Sequence, residues 1–143
     1  MIFRKATQAD LDCVKADPFE GSLKDYPYME VPNDHCFTAI FQDKIVGVGG
    51  LVIHWPGMAE AWLMLTNACR KDTAFGLVAL FAIKDKMEEL LKENNIRRAQ
   101  AVARVDFPKA IKMIESFGFK KESRMEQYCM DGSDAWRYVR IIK

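Results

Sequence analysis

Apolar residues recur at three- and four-residue steps from Phe75 through Val78, Ala79, Ala82, Ile83, Met87, Leu90 and Leu91, with Lys84, Asp85, Glu88 and Glu89 between them. That spacing predicts a long helix buried along one face, stopped by Asn94-Asn95. Ahead of it the pattern changes period. Ile2 to Lys5 reads as a short strand, and Thr7-Gln8-Ala9-Asp10 has the form of a capping signal before a helix carrying Leu11 and Val14 and ending near Asp17-Pro18. Phe19 to Asn33, with two prolines and two tyrosines, reads as a loop with a short helix. Cys36 to Phe41, Ile45 to Trp55 and Ala59 to Thr66 are strand-like runs, separated by turns at Gln42-Asp43-Lys44 and Trp55-Pro56-Gly57.

After the long helix, Arg98 to Val105 alternates, with Ala99, Ala101 and Ala103 on one face. Asp106 is placed to cap a helix whose first turn holds Pro108, whose apolar stripe is Ala110, Ile111, Ile114 and Phe117, and which ends at Gly118. Met125 to Met130 and Trp136 to Ile142 read as a closing hairpin about Asp131-Gly132. The order is β-α-loop-βββ-α-β-α-ββ. A helix between two strands requires a crossover, so the fourth and fifth strands should be parallel neighbours in an α/β fold with a mixed sheet.

Composition narrows the reading. A chain of 143 residues, half of them apolar, can bury a core as a single domain spanning 1–143 without disulfides or metal. A net charge of +1 gives no long-range attraction for nucleic acid or an acidic membrane, so neither is expected as a partner. No apolar run approaches the roughly 20 residues that span a bilayer, and the start of the chain turns polar too soon for a signal peptide. Cys13, Cys36, Cys69 and Cys129 are far apart, and His35 and His54 are the only histidines. That spacing offers no metal site, and the cysteines read as reduced thiols of a cytoplasmic protein.

Several segments carry a resemblance. Ala110 to Phe119 (AIKMIESFGF) looks like the A-x-x-x-Y-E-x-x-G-F segment of the GNAT acyl-CoA N-acyltransferase superfamily, and Phe3 to Leu11 is similar to its usual start. The Gly49-Gly50 strand followed by Ala59-Glu60-Ala61-Trp62, and the late Tyr128-x-x-Asp131-Gly132-x-Asp134, resemble GNAT-like proteins of tailed phages and prophages. The resemblance covers nearly the whole chain. It implies a GNAT-like fold, acetyl-CoA as co-substrate, and transfer of its acetyl group to a small-molecule or peptide amine by direct attack in a ternary complex.

It also implies a cofactor loop before the long helix, where backbone amides and the helix dipole favour a pyrophosphate. Here the loop reads Lys71-Asp72-Thr73-Ala74-Phe75-Gly76, so Lys71, Thr73, Ala74, Phe75 and Gly76, with Leu65 and Thr66 on the preceding strand, are the implied cofactor-binding residues. Ala74 replaces a glycine of the family pattern, and Asp72 or Thr73 can equally cap the helix. Glu60, a carboxylate among apolar neighbours on the fourth strand, is the implied general base; the bland alternative is a surface carboxylate paired with Arg or Lys.

The tyrosine that serves as general acid in the family is Ile114 here, and a frequent asparagine is Phe107. Tyr128 on the late strand is the first substitute for the acid, with Tyr26 and Tyr28 behind it. Cys69 has no partner in sequence that would make it a nucleophile. His54-Trp55-Pro56-Gly57 either lines an acceptor pocket or packs the hairpin. Asp17, Glu20, Asp25, Glu30 and Asp34 give the acceptor region an acidic character suited to a cationic amine, moderated by Lys24. The departures at 74, 107 and 114 support a second expectation, a GNAT-shaped binding or assembly module without catalysis. A homodimer stays open.

Overall fold

The computed structural model describes residues 1–19, 31–32 and 34–143. Its elements are β1 (Ile2–Lys5), α1 (Gln8–Ala16), β2 (Cys36–Phe41), β3 (Lys44–Trp55), β4 (Met58–Leu65), α2 (Ala68–Lys71), α3 (Thr73–Glu93), β5 (Arg98–Arg104), α4 (Pro108–Ser116), β6 (Lys120–Met125) and β7 (Ala135–Ile141). The strands form one mixed sheet in the order β1-β2-β3-β4-β5-β7-β6. The expected α/β class and order hold, and the short α2 is added before α3. The contacts divide the chain into two compact units, Met1–Val52 with Leu63–Leu90, and Ile53–Trp62 with Leu91–Lys143.

In the first unit, β1 and β2 pair antiparallel from Ile2↔Ile40 to Lys5↔Phe37, and β2 pairs antiparallel with β3. Gln42 and Asp43 turn that hairpin with φ of 51° and 62°, the left-handed conformations that two-residue hairpin loops demand. Thr7 and Asp10 form the expected capping box on α1. Asp10 does more than cap. Its carboxylate is buried and accepts two hydrogen bonds from Arg4 at 2.6 and 2.7 Å, one from Thr38 Oγ1 at 2.8 Å and one from the Thr7 amide at 3.0 Å. Those donors hold its pKa well below the usual carboxylate range, with Arg4 the largest influence. One carboxylate thereby ties β1, α1 and β2 together.

The buried line of α3 runs through Ala79, Ile83, Met87, Leu90 and Leu91 as its spacing predicts. Val78 departs from it. It is 51% exposed, beside Leu77 and Phe81. One residue is about 100° around a helix, so a face centred on Ala79 and Ile83 turns Val78 away. Phe75 remains at the inner edge, its ring edge-on to Phe41 at 4.9 Å.

In the second unit, β4 and β5 are parallel as predicted, in register from Met58↔Arg98 to Glu60↔Gln100. On its other side β5 pairs with β7 along its length, Arg98↔Ile141 to Arg104↔Ala135, and β7 pairs with β6. Two helices end in the same way. Asn95 takes φ 53° while the Ile96 amide reaches the Leu91 carbonyl at 3.0 Å; Gly118 takes φ 88° while the Phe119 amide reaches the Ile114 carbonyl at 3.3 Å. Both are left-handed caps with a buried apolar residue just beyond. Tyr138, fully buried on β7, donates its hydroxyl to Glu115 of α4 at 3.2 Å, and burial raises its pKa.

Three local expectations are corrected. Asp106 does not cap α4: the N-cap is Phe107, and the Asp106 carboxylate instead accepts from Arg104 at 3.0 and 3.2 Å. A two-pronged, charge-assisted pair outcompetes a cap. The first strand of the last hairpin is Lys120–Met125, not Met125 to Met130. The stretch 126–134 is a loop held by its own acids: Asp134 accepts from the Gln127 amide at 2.9 Å and from Arg124 at 2.8 Å, and Asp131 accepts from the Ser133 amide and from Arg104. Tyr128 therefore lies on this loop and not on a strand, and it is 54% exposed.

Candidate functional site

Two features answer the chemistry expected from the sequence, one in each unit. The first is the start of α3. β4 ends at Leu65, whose carbonyl accepts from the Phe19 amide at 2.8 Å. Thr66 is buried, its hydroxyl donating to the Ile45 carbonyl at 3.1 Å and its amide to that of Val46 at 3.0 Å. The polar groups of Thr66 and the Leu65 carbonyl are thus committed to holding the strand. The turn of α2 follows and ends at the exposed Lys71.

Asp72 then turns the chain into α3. Its Oδ1 accepts from the Phe75 amide at 3.1 Å, and its carbonyl accepts from the Gly76 amide at 2.9 Å. The capping alternative for Asp72 is realised. One of the amides expected to face a phosphate is occupied by the protein's own carboxylate. Thr73 and Ala74 are exposed at the tip of the helix.

Gly76 is buried, and a Cβ there would lie 2.5 Å from the Cys69 carbonyl oxygen. Absence of a side chain lets α3 sit directly on α2, so this glycine serves packing. Cys69 itself is buried and donates to the Val46 carbonyl at 3.7 Å, and burial pushes its thiol up to about 11, which removes it as a nucleophile.

The second feature is on the turn-proximal half of β4. Glu60 follows the buried Ala59, and its carboxylate Oε2 stands 3.4 Å from Nε2 of His54 on β3. Their side chains are 31% and 40% exposed, so both are shielded yet reachable. Glu60 is thus paired with a histidine. The neighbouring cations are engaged elsewhere: Arg97 donates to the Pro56 carbonyl at 3.3 Å, and Arg98 grips Glu122 at 2.7 and 2.9 Å. His54 was legible only as part of a turn, because two strands bring it to Glu60 from six residues away.

Two residues along the same strand face, Trp62 Nε1 is buried without a hydrogen-bond partner among the described residues. Of the other residues considered for the site, Asp34 pairs with Lys5 at 2.8 Å, while Glu20, Asp25, Tyr26, Tyr28 and Glu30 lie outside the described residues. Among the described residues no group of three or more His, Cys, Asp or Glu side chains is placed to hold a metal ion, and no helix is long and apolar enough to cross a membrane.

The sequence matches no family model and no curated protein. The structure has many likenesses. Ard1 from Thermoplasma volcanium superposes with a TM-score of 0.74 at 16% identity, over 99% of this chain and 97% of that one. The ribosomal-protein-S18-alanine N-acetyltransferase of Escherichia coli gives 0.71 at 17%, over 99% and 94%. A variant of the spermidine N-acetyltransferase SpeG from Vibrio cholerae gives 0.72 at 15%, over 99% and 95%. At such identities the likeness is one of architecture, and the architecture of this chain is the GNAT N-acetyltransferase fold.

Proposed function

We propose that the protein is an N-acetyltransferase that moves an acetyl group from acetyl-CoA to an amine by direct attack in a ternary complex. The observation that carries this reading is Glu60, half-buried on β4 with an imidazole at 3.4 Å. An amine attacks a thioester only as the free base and must shed a proton as the C–N bond forms. A shielded carboxylate beside an imidazole meets that need.

The co-substrate would be held at the start of α3, by Lys71 and the amides of Thr73, Ala74 and Phe75, with Leu65 and Thr66 behind them; the Gly76 amide is bonded to the Asp72 carbonyl, so Gly76 contributes by letting α3 pack close. The fit there has one obstacle. Asp72 must release the Phe75 amide before an anion can use it, which forfeits a helix cap worth about 1 kcal/mol. That is small against the binding energy of a micromolar ligand, about 8 kcal/mol. The residues present therefore accept a pyrophosphate at reduced affinity. Candidate acceptors are polyamines and peptide N-termini, because the structural neighbours named above act on spermidine and on a ribosomal-protein alanine.

Isothermal titration with acetyl-CoA tests the reading first. Absence of heat at millimolar ligand, with the protein shown to be folded, overturns it. Where binding is seen, Glu60→Gln is expected to lower turnover about 100-fold with acetyl-CoA affinity within a factor of two. Unchanged turnover removes Glu60 from the mechanism.

A further inference from the structure

We infer that the proton of the attacking amine goes to His54, and that Glu60 is the residue that positions and charges the imidazole for it. The inference rests on the acetyl-transfer reading and reassigns the roles within its base. Nε2 is the ring nitrogen that faces the acid. A carboxylate is an acceptor only, so the ring nitrogen 3.4 Å from Glu60 Oε2, Nε2, carries the hydrogen in the neutral imidazole. Nδ1 is then the nitrogen with a free lone pair.

An imidazole is by class a stronger base than a carboxylate, and the amine must shed a proton as it attacks. The arrangement has the form of a base oriented by an acid, with the acid stabilising the imidazolium that develops. The separation is long for a hydrogen bond, as such pairs often are before substrate tightens them.

Among the described residues, Glu60 is the carboxylate paired with the ring. On β3 the neighbour is Trp55, its ring centroid 6.2 Å from that of His54. At the head of β5, Arg97 is turned onto the Pro56 carbonyl and Arg98 onto Glu122. His54 lies on the exposed end of the hairpin, 40% accessible, where an amine can approach without displacing core. In the step itself the amine nitrogen forms a bond to the acetyl carbon and its proton passes to His54 Nδ1. The C–S bond breaks, and its electron pair leaves on the CoA thiolate.

The test follows thiol release from acetyl-CoA with spermidine and with an alanine-terminated peptide as amine probes, across pH 5 to 9. His54→Gln is expected to lower kcat about 100-fold and to abolish the acidic limb of the pH profile, with the KM for acetyl-CoA within twofold. Glu60→Gln should lower kcat at least tenfold and displace that limb, and Glu60→Asp should restore part of the rate. Thermal melts of each variant confirm the fold. If His54→Gln keeps the rate and the acidic limb while Glu60→Gln loses both, Glu60 is the direct base and the inference is overturned alone. If the wild type binds no acetyl-CoA and releases no thiol with either probe, the acetyl-transfer reading falls with it.

Discussion

Replacing Asp72 by Asn removes one negative charge from the start of α3 and leaves the shape of the cap intact. Asp and Asn are nearly equal as N-caps, so the bond to the Phe75 amide survives, and the loss is the attraction of a charge for the helix dipole, about 0.3–1 kcal/mol. For an incoming pyrophosphate the sign is opposite. A like charge at contact distance opposes it by about 1 kcal/mol in water, and more where solvent is excluded. Asp72 is exposed, so the lower figure applies. Displacing a neutral amide from Phe75 in place of a carboxylate adds about another 1 kcal/mol, because charged hydrogen bonds are the stronger kind.

The sum is about 2 kcal/mol, or roughly 30-fold tighter acetyl-CoA binding by Asp72→Asn. Titration calorimetry reads the affinity and urea denaturation the stability. The gain should shrink as salt is raised, since the opposing charge is screened. Asp72→Ala, which has no cap to displace, should show at least the same tightening with a protein about 1 kcal/mol less stable. If acetyl-CoA binds the wild type and Asp72→Asn equally, the carboxylate at the helix tip does not compete with the ligand, and the reasoning from the cap fails.

Asp10 gives a pH prediction. Its folded pKa is depressed, so its stabilisation is fully present above the unfolded value, near 4, and is lost as pH falls from there toward the folded value. Urea denaturation at pH 7 and pH 3 should show wild type losing more stability than Asp10→Asn, and equal losses contradict the assignment. Asp10→Ala, which strands the buried Thr38 hydroxyl and breaks the capping box, should lose about 3 kcal/mol at pH 7. Gly76→Ala places a Cβ against the Cys69 carbonyl and should lower stability by about 1–3 kcal/mol, as other overpacked contacts do, while a melt matching wild type shows that α2 can yield.

Much of this fold was legible because its signals are local. The Thr7–Asp10 cap, the Gly118 stop and the buried line of α3 each depend on residues within a turn or two of one another. β6 was missed because Lys120-Lys121-Glu122-Ser123-Arg124 has no apolar alternation: both faces are exposed, and its side chains serve Trp136, with Lys121 4.0 Å and Arg124 5.2 Å from that ring. Asp106 was misassigned because Arg104, two residues back on the strand, is a better partner than an amide. In the candidate site, Glu60 could be picked out as a carboxylate in an apolar strand. His54 could not be joined to it from spacing, because the pairing is made by the β3–β4 turn and is 3.4 Å only after folding.

The strand order carries a consequence for synthesis on the ribosome. β7 follows β6 in the chain but lies between β5 and β6. Until Ala135–Ile141 has emerged, β5 lacks one neighbour along its length, and β6 is a charged ribbon with nothing to pair with. The second unit therefore cannot assemble in the order in which it is translated. Released chains truncated between residues 126 and 134 should be sensitive to protease across 98–125, while chains that carry Ala135–Ile141 should gain protection there in one step.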